Sequence, residues 1–267
     1  MVRTSGTIPL LSEHGCHITQ GQWFPQEASQ SSTWWKLITV CNVLESLASM
    51  LLNQRVRWFI DNQNVARILT VGSRKPALQQ EVMAIFRLSV SAKVRIEPEW
   101  IPREANQQAD FLSRIVDKDD WSLHPDLFRM LDAKWGPHTI DRFASYFNTQ
   151  LPRFNSRFWN PGSEAVDAFT CDWSNENNWW CPPIYLIPRV LGHAQKTSAK
   201  GTLIVPQWLS APFWPILFAS DSSVSQSVVA TQVIEKEKVV ICPGRSGSQL
   251  FSGSPNTNLL AVRLNFQ

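Results

Sequence analysis

Long apolar runs are missing from this chain. No stretch of 18 or more apolar residues occurs among its 267, so the sequence offers no membrane-spanning helix. The first residues, Met1-Val2-Arg3-Thr4-Ser5-Gly6, lack the apolar core of a signal peptide. The expected setting is intracellular, cytoplasmic or nuclear. Cysteine is scarce and odd in number: five, at positions 16, 41, 171, 181 and 242, with no C-x-x-C spacing. That pattern argues against a disulfide framework and a zinc ribbon and leaves reduced thiols. The histidines, His14, His17, His124, His138 and His193, fall in no H-x-x-x-H or H-E-x-x-H arrangement, so neither a zinc site nor a catalytic triad is indicated. Gly244-Arg245-Ser246-Gly247-Ser248 lacks the lysine and the following helix of a phosphate loop. Charge of one sign is also lacking. A net +3 permits nucleic-acid binding only through a local cluster.

What the chain has is apolar mass, 43% hydrophobic with thirteen tryptophans, enough to build real cores. Ser31-Ser32-Thr33 reads as an N-cap region. Leu37, Val40, Cys41, Leu44, Leu47, Ala48 and Leu51 then recur at three and four, the period of a helix with one buried face. Residues 15–24 suit a short strand and turn, and Arg55–Ile60 a strand of a covered sheet. A short helix over 64–69 ends at Gly72-Ser73, a second helix covers 78–90, 94–100 is a strand, and 104–116 a helix. This alternation indicates an α/β fold. Asp117-Lys118-Asp119-Asp120 is a polar break, so two domains are expected, 1–118 and 119–267. In the second, helices are expected at 125–134 and 184–194, and strands at 139–142, 201–206, 239–242 and 259–264. Residues 220–227 read as a serine-rich loop.

Two segments carry chemistry. Val56-Arg57-Trp58-Phe59-Ile60-Asp61-Asn62 ends an apolar run on a carboxylate and an amide. Trp100-Ile101-Pro102-Arg103-Glu104-Ala105-Asn106-Gln107-Gln108-Ala109-Asp110 puts a second carboxylate at the start of a helix. Two Mg²⁺ ions can activate water and stabilise the leaving oxygen of a phosphodiester, and they require several acids converging from different elements. Asp61 at a strand end and Asp110 on a helix are placed for that. Asp and Asn are equally good N-caps, and Asp110 also suits a solvated helix face, so spacing alone leaves both readings open.

The wider text decides between them by resemblance. Ser31-Ser32-Thr33-Trp34, Phe59-Ile60-Asp61-Asn62-Gln63-Asn64-Val65, Gly72-Ser73-Arg74, Leu78-Gln79, Trp100-Ile101-Pro102-Arg103-Glu104 and Asn106-Gln107-Gln108-Ala109-Asp110 resemble, in order and spacing, the ribonuclease H domain of DIRS-type, tyrosine-recombinase retrotransposons. Over residues 1–118 the resemblance implies a five-stranded mixed sheet flanked by helices. It also implies Mg²⁺-dependent cleavage of RNA in RNA–DNA hybrids, in association with a reverse transcriptase. Asp61 and Asp110 match two family acids, both metal ligands. Where the family has its other two, this chain has Lys36, in Trp35-Lys36-Leu37, and Arg3, in Arg3-Thr4-Ser5-Gly6, so most of the first strand is expected to be missing or altered. A lysine in a Mg²⁺ site would repel the ion by about 4 kcal/mol at close range and an effective dielectric of 20. Lys36 is therefore expected to pair with Asp61 or Asp110 in place of the metal. Backbone contacts to a hybrid are expected from Asn62, Arg74, Lys75, Arg103 and Asn106.

The second half resembles the phage-type DNA adenine methyltransferase-like domain of the same retroelements. The resemblance runs through Ile140-Asp141-Arg142-Phe143, Asp167-Ala168-Phe169, Trp180-Cys181-Pro182-Pro183, Gly201–Pro206 and Leu259–Leu264. It implies a Rossmann-like, doubly wound sheet with S-adenosylmethionine at the strand ends, Asp141 being the acid at the first such end and Pro182-Pro183 part of the grip on the target amine. Cys181 and Ile184 stand where the family has an amide or acid and an aromatic. Cysteine is a poor acceptor and isoleucine has no π-face, so the expectation is fold without methyl transfer and without the methyl donor.

Three functions follow. The first is a hybrid nuclease impaired by the loss of two acids. The second is a working nuclease in which Glu13 or Glu45 restores the site, although Glu45 stands nine residues after Lys36, about 13 Å along one helix. The third is a non-catalytic nucleic-acid-binding or assembly module.

Overall fold

The computed structural model describes residues 5–12, 15–22, 27, 29–112, 121–218, 224–236, 241–243 and 257–267. The chain divides into two compact units, residues 1–115 with 158–162, and residues 116–157 with 163–267. Both mix helices and strands, so the fold is α/β. No helix among the described residues is long and apolar enough to cross a membrane.

In the first unit, β1 (Ser5–Ser12) and β2 (Gly15–Gln22) form an antiparallel hairpin in register from Ser5↔Gln22 to Ser12↔Gly15. Strand β1 follows the Arg3-Thr4-Ser5-Gly6 match, where most of the first strand was expected to be missing or altered; Arg3 itself lies outside the described residues. Helix α1 (Ser32–Ser46) starts where the Ser31 hydroxyl accepts from the Trp34 amide at 3.2 Å, closing one of the unpaired donors of the first turn. Its apolar stripe, Leu37, Val40, Cys41, Leu44, is buried as the period requires. The helix stops five residues earlier than its pattern, and a separate turn α2 (Ala48–Leu51) follows the buried Leu47. Near the break the Ser46 hydroxyl donates to Asn42 O at 2.5 Å, a local bond of the kind that competes with the helical ladder.

Strand β3 (Arg55–Ile60) leads into α3 (Gln63–Val71) and α4 (Pro76–Ser91), and β4 (Arg95–Trp100) returns parallel to β3, Arg55↔Arg95 to Ile60↔Trp100. A parallel return needs such a helical crossover. Gly72 ends α3 at φ +81°, a conformation that costs glycine nothing. Val56, Trp58 and Ile60 face the core of α1, Val65, Ile68, Leu78 and Ile85. The opposite face is not covered as expected: Arg55, Arg57 and Phe59 are exposed. That side is a ladder of ion pairs, Arg57–Glu99 at 2.7 Å and Arg95–Glu97 at 3.3 Å, which contribute little at a surface. Among the described residues β1–β2 and β3–β4 are two separate two-stranded sheets, not one of five strands. After β4, a 3₁₀ turn at Arg103–Asn106 leads to α5 (Gln107–Leu112).

The second unit is built on five strands. In chain order its elements are β5 (Trp121–Leu123), α6 (Pro125–Trp135), β6 (Ile140–Asp141), β7 (Asn155–Ser156), β8 (Ala165–Val166), β9 (Asn177–Trp180), α7 (Ile187–Lys196), β10 (Lys200–Pro206), α8 (Trp214–Leu217), β11 (Val228–Ile234), β12 (Ile241–Pro243) and β13 (Leu259–Asn265). The sheet order is β11-β13-β10-β9-β6, with β6, β9 and β10 parallel and β13 antiparallel to both its neighbours. Short pairs β5–β12 and β7–β8 flank it. The parallel strands run outward in one direction only, β6 to β9 to β10, with β6 at the edge among the described residues. A sheet wound both ways from a central strand, expected for this half, would need further strands beyond β6.

Both faces of this sheet's inner strands β9, β10 and β13 are covered. Trp180, Leu203, Val205, Leu260, Val262 and Leu264 pack with Ile187, Val190, Leu191 and Ala194 of α7. Trp179, Ile204, Leu259 and Ala261 pack on the other side with Phe128 and Leu131 of α6. Alternate residues serve opposite cores, which is why β10 reads as an unbroken apolar run. Gly201 is fixed by contact: a Cβ there would lie 2.7 Å from the Trp180 ring and closer still to Asn178 O. Gly201→Ala therefore forces the ring or the strand to move, with an expected loss of about 1–3 kcal/mol in urea unfolding; unchanged stability would contradict this packing.

Candidate functional site

The first unit assembles its site at the carboxyl end of β3. The strand's last buried residue is Ile60, so Asp61 emerges at the sheet's end, where the chain bends. Asn62 does not face outward: its Oδ1 accepts from the Val65 amide at 3.2 Å and caps α3. Lys36 lies in the second turn of α1, and its ammonium donates to Asp61 Oδ1 in a direct ion pair. The carboxylate is 16% exposed and the ammonium 34%. Asn106, at the end of the 3₁₀ turn after β4, lies near enough for its side chain to favour the ionised form of Asp61. Three elements distant in sequence, α1, the β3 end and the turn after β4, thus converge on one carboxylate.

The electrostatics follow. Burial on its own would raise the Asp61 carboxyl; the hydrogen bond and charge of Lys36, with the Asp61 backbone amide and Asn106, outweigh it and hold the carboxyl below its ordinary value. Asp61 sits in the ion pair as expected. Asp110 falls on α5 as expected, a helix reached from the same turn. Among the described residues no group of three or more His, Cys, Asp or Glu side chains could hold a metal ion. Glu45 is exposed near the far end of α1. Of the residues expected to contact phosphates, Arg74 and Lys75 are exposed in the turn before α4 and Arg103 is exposed at the start of the 3₁₀ turn, while Asn62 caps α3.

The second unit places Asp141 at the carboxyl end of β6 and Cys181-Pro182-Pro183 at that of β9, the neighbouring parallel strand, with Asp141↔Trp179 in register. Asp141 is buried, and its oxygens accept from the amides of Gln150 at 3.1 Å and Phe143 at 3.4 Å. Burial, only partly offset by these two bonds, pushes its carboxyl up to about 7. Its contacts are thus those of a residue that pins the 142–150 loop. Cys181 and Pro182 are buried, Pro183 and Ile184 half-buried, and the aromatic next in line, Tyr185, is exposed.

Two polar networks of this unit carry no motif that the sequence alone betrays. The Arg142 guanidinium is buried without a carboxylate partner: it donates to Asn178 Oδ1 at 2.7 Å, Asn155 Oδ1 at 2.8 Å and Asp172 O at 3.3 Å, and lies 5.7 Å from the Trp173 ring centre. Neutral acceptors satisfy its donors and tie β6, β7 and β9 together. The second network is a line of acid, imidazole and hydroxyl: Asp132 Oδ1 to His138 Nδ1 at 2.6 Å, and His138 Nε2 to Thr202 Oγ1 at 2.8 Å. Burial lowers the His138 pKa against the opposing pull of Asp132, so the ring is neutral, Nδ1–H donating to Asp132 and Nε2 accepting from Thr202. The geometry is that of a nucleophile triad. His138 and Thr202 side chains are fully buried, so no substrate reaches the hydroxyl, and the line braces α6 against β10.

In comparisons with known proteins, no protein-family profile matches the chain and no curated protein is similar to it.

Lys36→Met leaves a half-buried carboxylate without its cation. Stability at neutral pH should fall by about 1–2 kcal/mol, between the values for exposed and buried pairs, as read by urea unfolding. The wild-type contribution of Asp61 is present above the ordinary aspartate pKa and is lost as pH falls through its lowered folded value; the variant should lose less stability over that acid range. Asp141 has the opposite sign. Its unfolded form ionises near 3.8 and its folded form near 7, so it makes stability decline as pH rises between them. Asp141→Asn should flatten that decline in unfolding curves collected across the interval, and an unchanged slope would refute the assignment.

Proposed function

We propose that the chain derives from a retrotransposon polyprotein: a ribonuclease H-type unit, which ancestrally cut the RNA strand of RNA–DNA hybrids with Mg²⁺, followed by a methyltransferase-type unit. We further propose that hybrid cleavage is impaired in this chain while hybrid binding persists. One observation carries the reading: the Lys36 ammonium lies directly against Asp61, the acid that the family motif assigns to the metal. A hard divalent cation would have to displace that ammonium or sit beside it, and at about 4 Å each unit of like charge costs about 4 kcal/mol at an effective dielectric of 20. The residues present therefore do not fit Mg²⁺, and no hydrolytic step through it is derived. Lys36 supplies locally the positive charge that Asp61 needs.

Supporting details come from the elements. Asp61 ends a strand of a parallel pair with a helical crossover, Asp110 falls on the helix after the partner strand, and Asn106 lies near Asp61. The exposure of Arg74 and Lys75 supports contacts to phosphate oxygens, which do not depend on the metal. For the second unit, the strand-end acid Asp141 and the Pro182-Pro183 turn at adjacent strand ends support methyltransferase ancestry. Burial of Cys181 and the aliphatic Ile184 argue against a working amine grip and against S-adenosylmethionine as a cofactor of this chain. The free thiols of Cys41, Cys171 and Cys181 suit an intracellular setting.

The test is binding and cleavage of an RNA–DNA hybrid in the same preparation, with Mg²⁺ or Mn²⁺ and over a salt series. Binding should weaken linearly on logarithmic axes, and Arg74→Ala with Lys75→Ala should reduce the slope by about two. No product should accumulate. Robust turnover that vanishes in Asp61→Asn would overturn the impaired-site reading, and absence of hybrid binding would leave only an assembly role.

A further inference from the structure

Residues 158–162 stand far along the chain from residues 1–115 yet belong to the same compact unit. Thr19 of β2 has two strand partners: Ile8 of β1 and, through an isolated parallel bridge, Trp159. A strand residue pairs once on each side, so Trp159 lies across β2 from β1. Trp159 also packs against the unit's hydrophobic core, which holds residues of α1, β3, α3 and α4. Thr19 is only 5% exposed, and Asn160, next to Trp159, is buried with its Nδ2 donating to Phe158 O at 2.9 Å. The segment Phe158-Trp159-Asn160-Pro161-Gly162 carries no charge, as a piece that joins a core requires.

The residues on either side of this segment clasp its base. The Ser156 and Ser163 hydroxyls are 2.7 Å apart, the Glu164 amide donates to Phe154 O at 3.0 Å, and the Asp167 amide donates to Ser156 O at 3.0 Å. Strands β7 and β8 pair across the base, and the Arg153 guanidinium donates twice to Glu164, at 2.6 and 3.1 Å. All these residues belong to the second unit. A short loop with its ends held together is a compact shape formed in advance, and such preorganisation lowers the ordering cost of docking.

We infer that residues 158–162 are a strap that completes the first unit: the second half of the sequence supplies β2 with a strand neighbour and the core with a tryptophan. The module that binds an RNA–DNA hybrid is then the whole chain, not residues 1–118, and one role of the second unit is to hold the strap. The polar stretch Asp117–Asp120 marks a change of texture in the sequence, not the end of the first unit. The hybrid-binding part of this inference rests on the function proposed above; the structural part does not.

Hydrogen exchange on the intact chain tests the structural part. In Trp159→Ala the amides of β2 and α1 should exchange about tenfold faster than in wild type, because the side chain lost is a partly buried aromatic. Those of β9 and β10 should keep their rates, because the clasped base is untouched. Trp159→Phe, which keeps a ring, should restore most of the protection. The second arm replaces Phe158–Gly162 with five glycine and serine residues and measures hybrid binding, which should fall about tenfold although Arg74 and Lys75 are intact. Unchanged exchange in β2 and α1 of Trp159→Ala would overturn the strap, and a strapless chain that binds hybrid like wild type would overturn its role in binding. If wild type itself binds no hybrid, the proposed function falls and the exchange arm still decides the strap.

Discussion

One half-buried ion pair organises the first unit's functional end. The β3 strand delivers Asp61 to a point where water is partly excluded, and a carboxylate in that position must find a partner or give up its charge. Lys36 provides the partner from the second turn of α1, and Asn106 approaches from beyond β4. The contact ties α1 to the end of β3, elements that also share one hydrophobic core. It also sets the chemistry. A carboxylate held below its ordinary pKa by a resident ammonium is a poor base and a poor ligand for a hard cation, because both roles require the electron pairs that Lys36 already uses.

The second unit solves the same problem of buried charge by different means. Arg142 is enclosed by neutral acceptors, His138 is kept neutral between an acid and a hydroxyl, and Asp141 rests on two backbone amides with its carboxyl near the pH of the cell. These arrangements are costly unless every donor and acceptor is matched, and here most are. Of these groups Asp141 stands at the carboxyl end of a parallel strand, the region where α/β sheets bind ligands, whereas the His138 line lies before β6 and in the first half of β10. In this chain the strand-end groups are engaged in holding loops and helices, and Cys181 and Pro182 are packed inward.

Much of the fold was legible because periodicity reports burial directly. The α1 stripe, strand β3, the helix pair α3 and α4, and strands β10 and β13 all follow from apolar spacing, and Gly72 marks its helix end by a positive φ. What escaped reading has identifiable causes. Strand β9 starts with Asn177-Asn178, residues that signal turns, yet here the Asn178 amide is buried against Trp173 O and Lys200 O. Strand β11 follows a serine-rich stretch and is polar at its centre. The break at Leu47 interrupts an apolar pattern that continues to Leu51, and strand β1, unlike β2, had no periodic signal by which to be read. For the site, a pairing of Lys36 with Asp61 or Asp110 was expected from the resemblance, which sets Lys36 at a lost acid position, together with charge, whereas the approach of Asn106 to Asp61 needed three-dimensional proximity. The acid–imidazole–hydroxyl line of Asp132, His138 and Thr202 is spread over 71 positions and had no spacing by which to be found.

The central claim is that Lys36 takes a cation's place at Asp61. It is tested most directly by following the Asp61 side-chain carboxyl carbon by NMR while Mg²⁺ is added. The account predicts a carboxyl that remains ionised below the ordinary aspartate range, with a chemical shift that does not respond to the ion. A saturable shift of that carbon with Mg²⁺ would contradict it, because it would mean that the ion binds where the ammonium is placed.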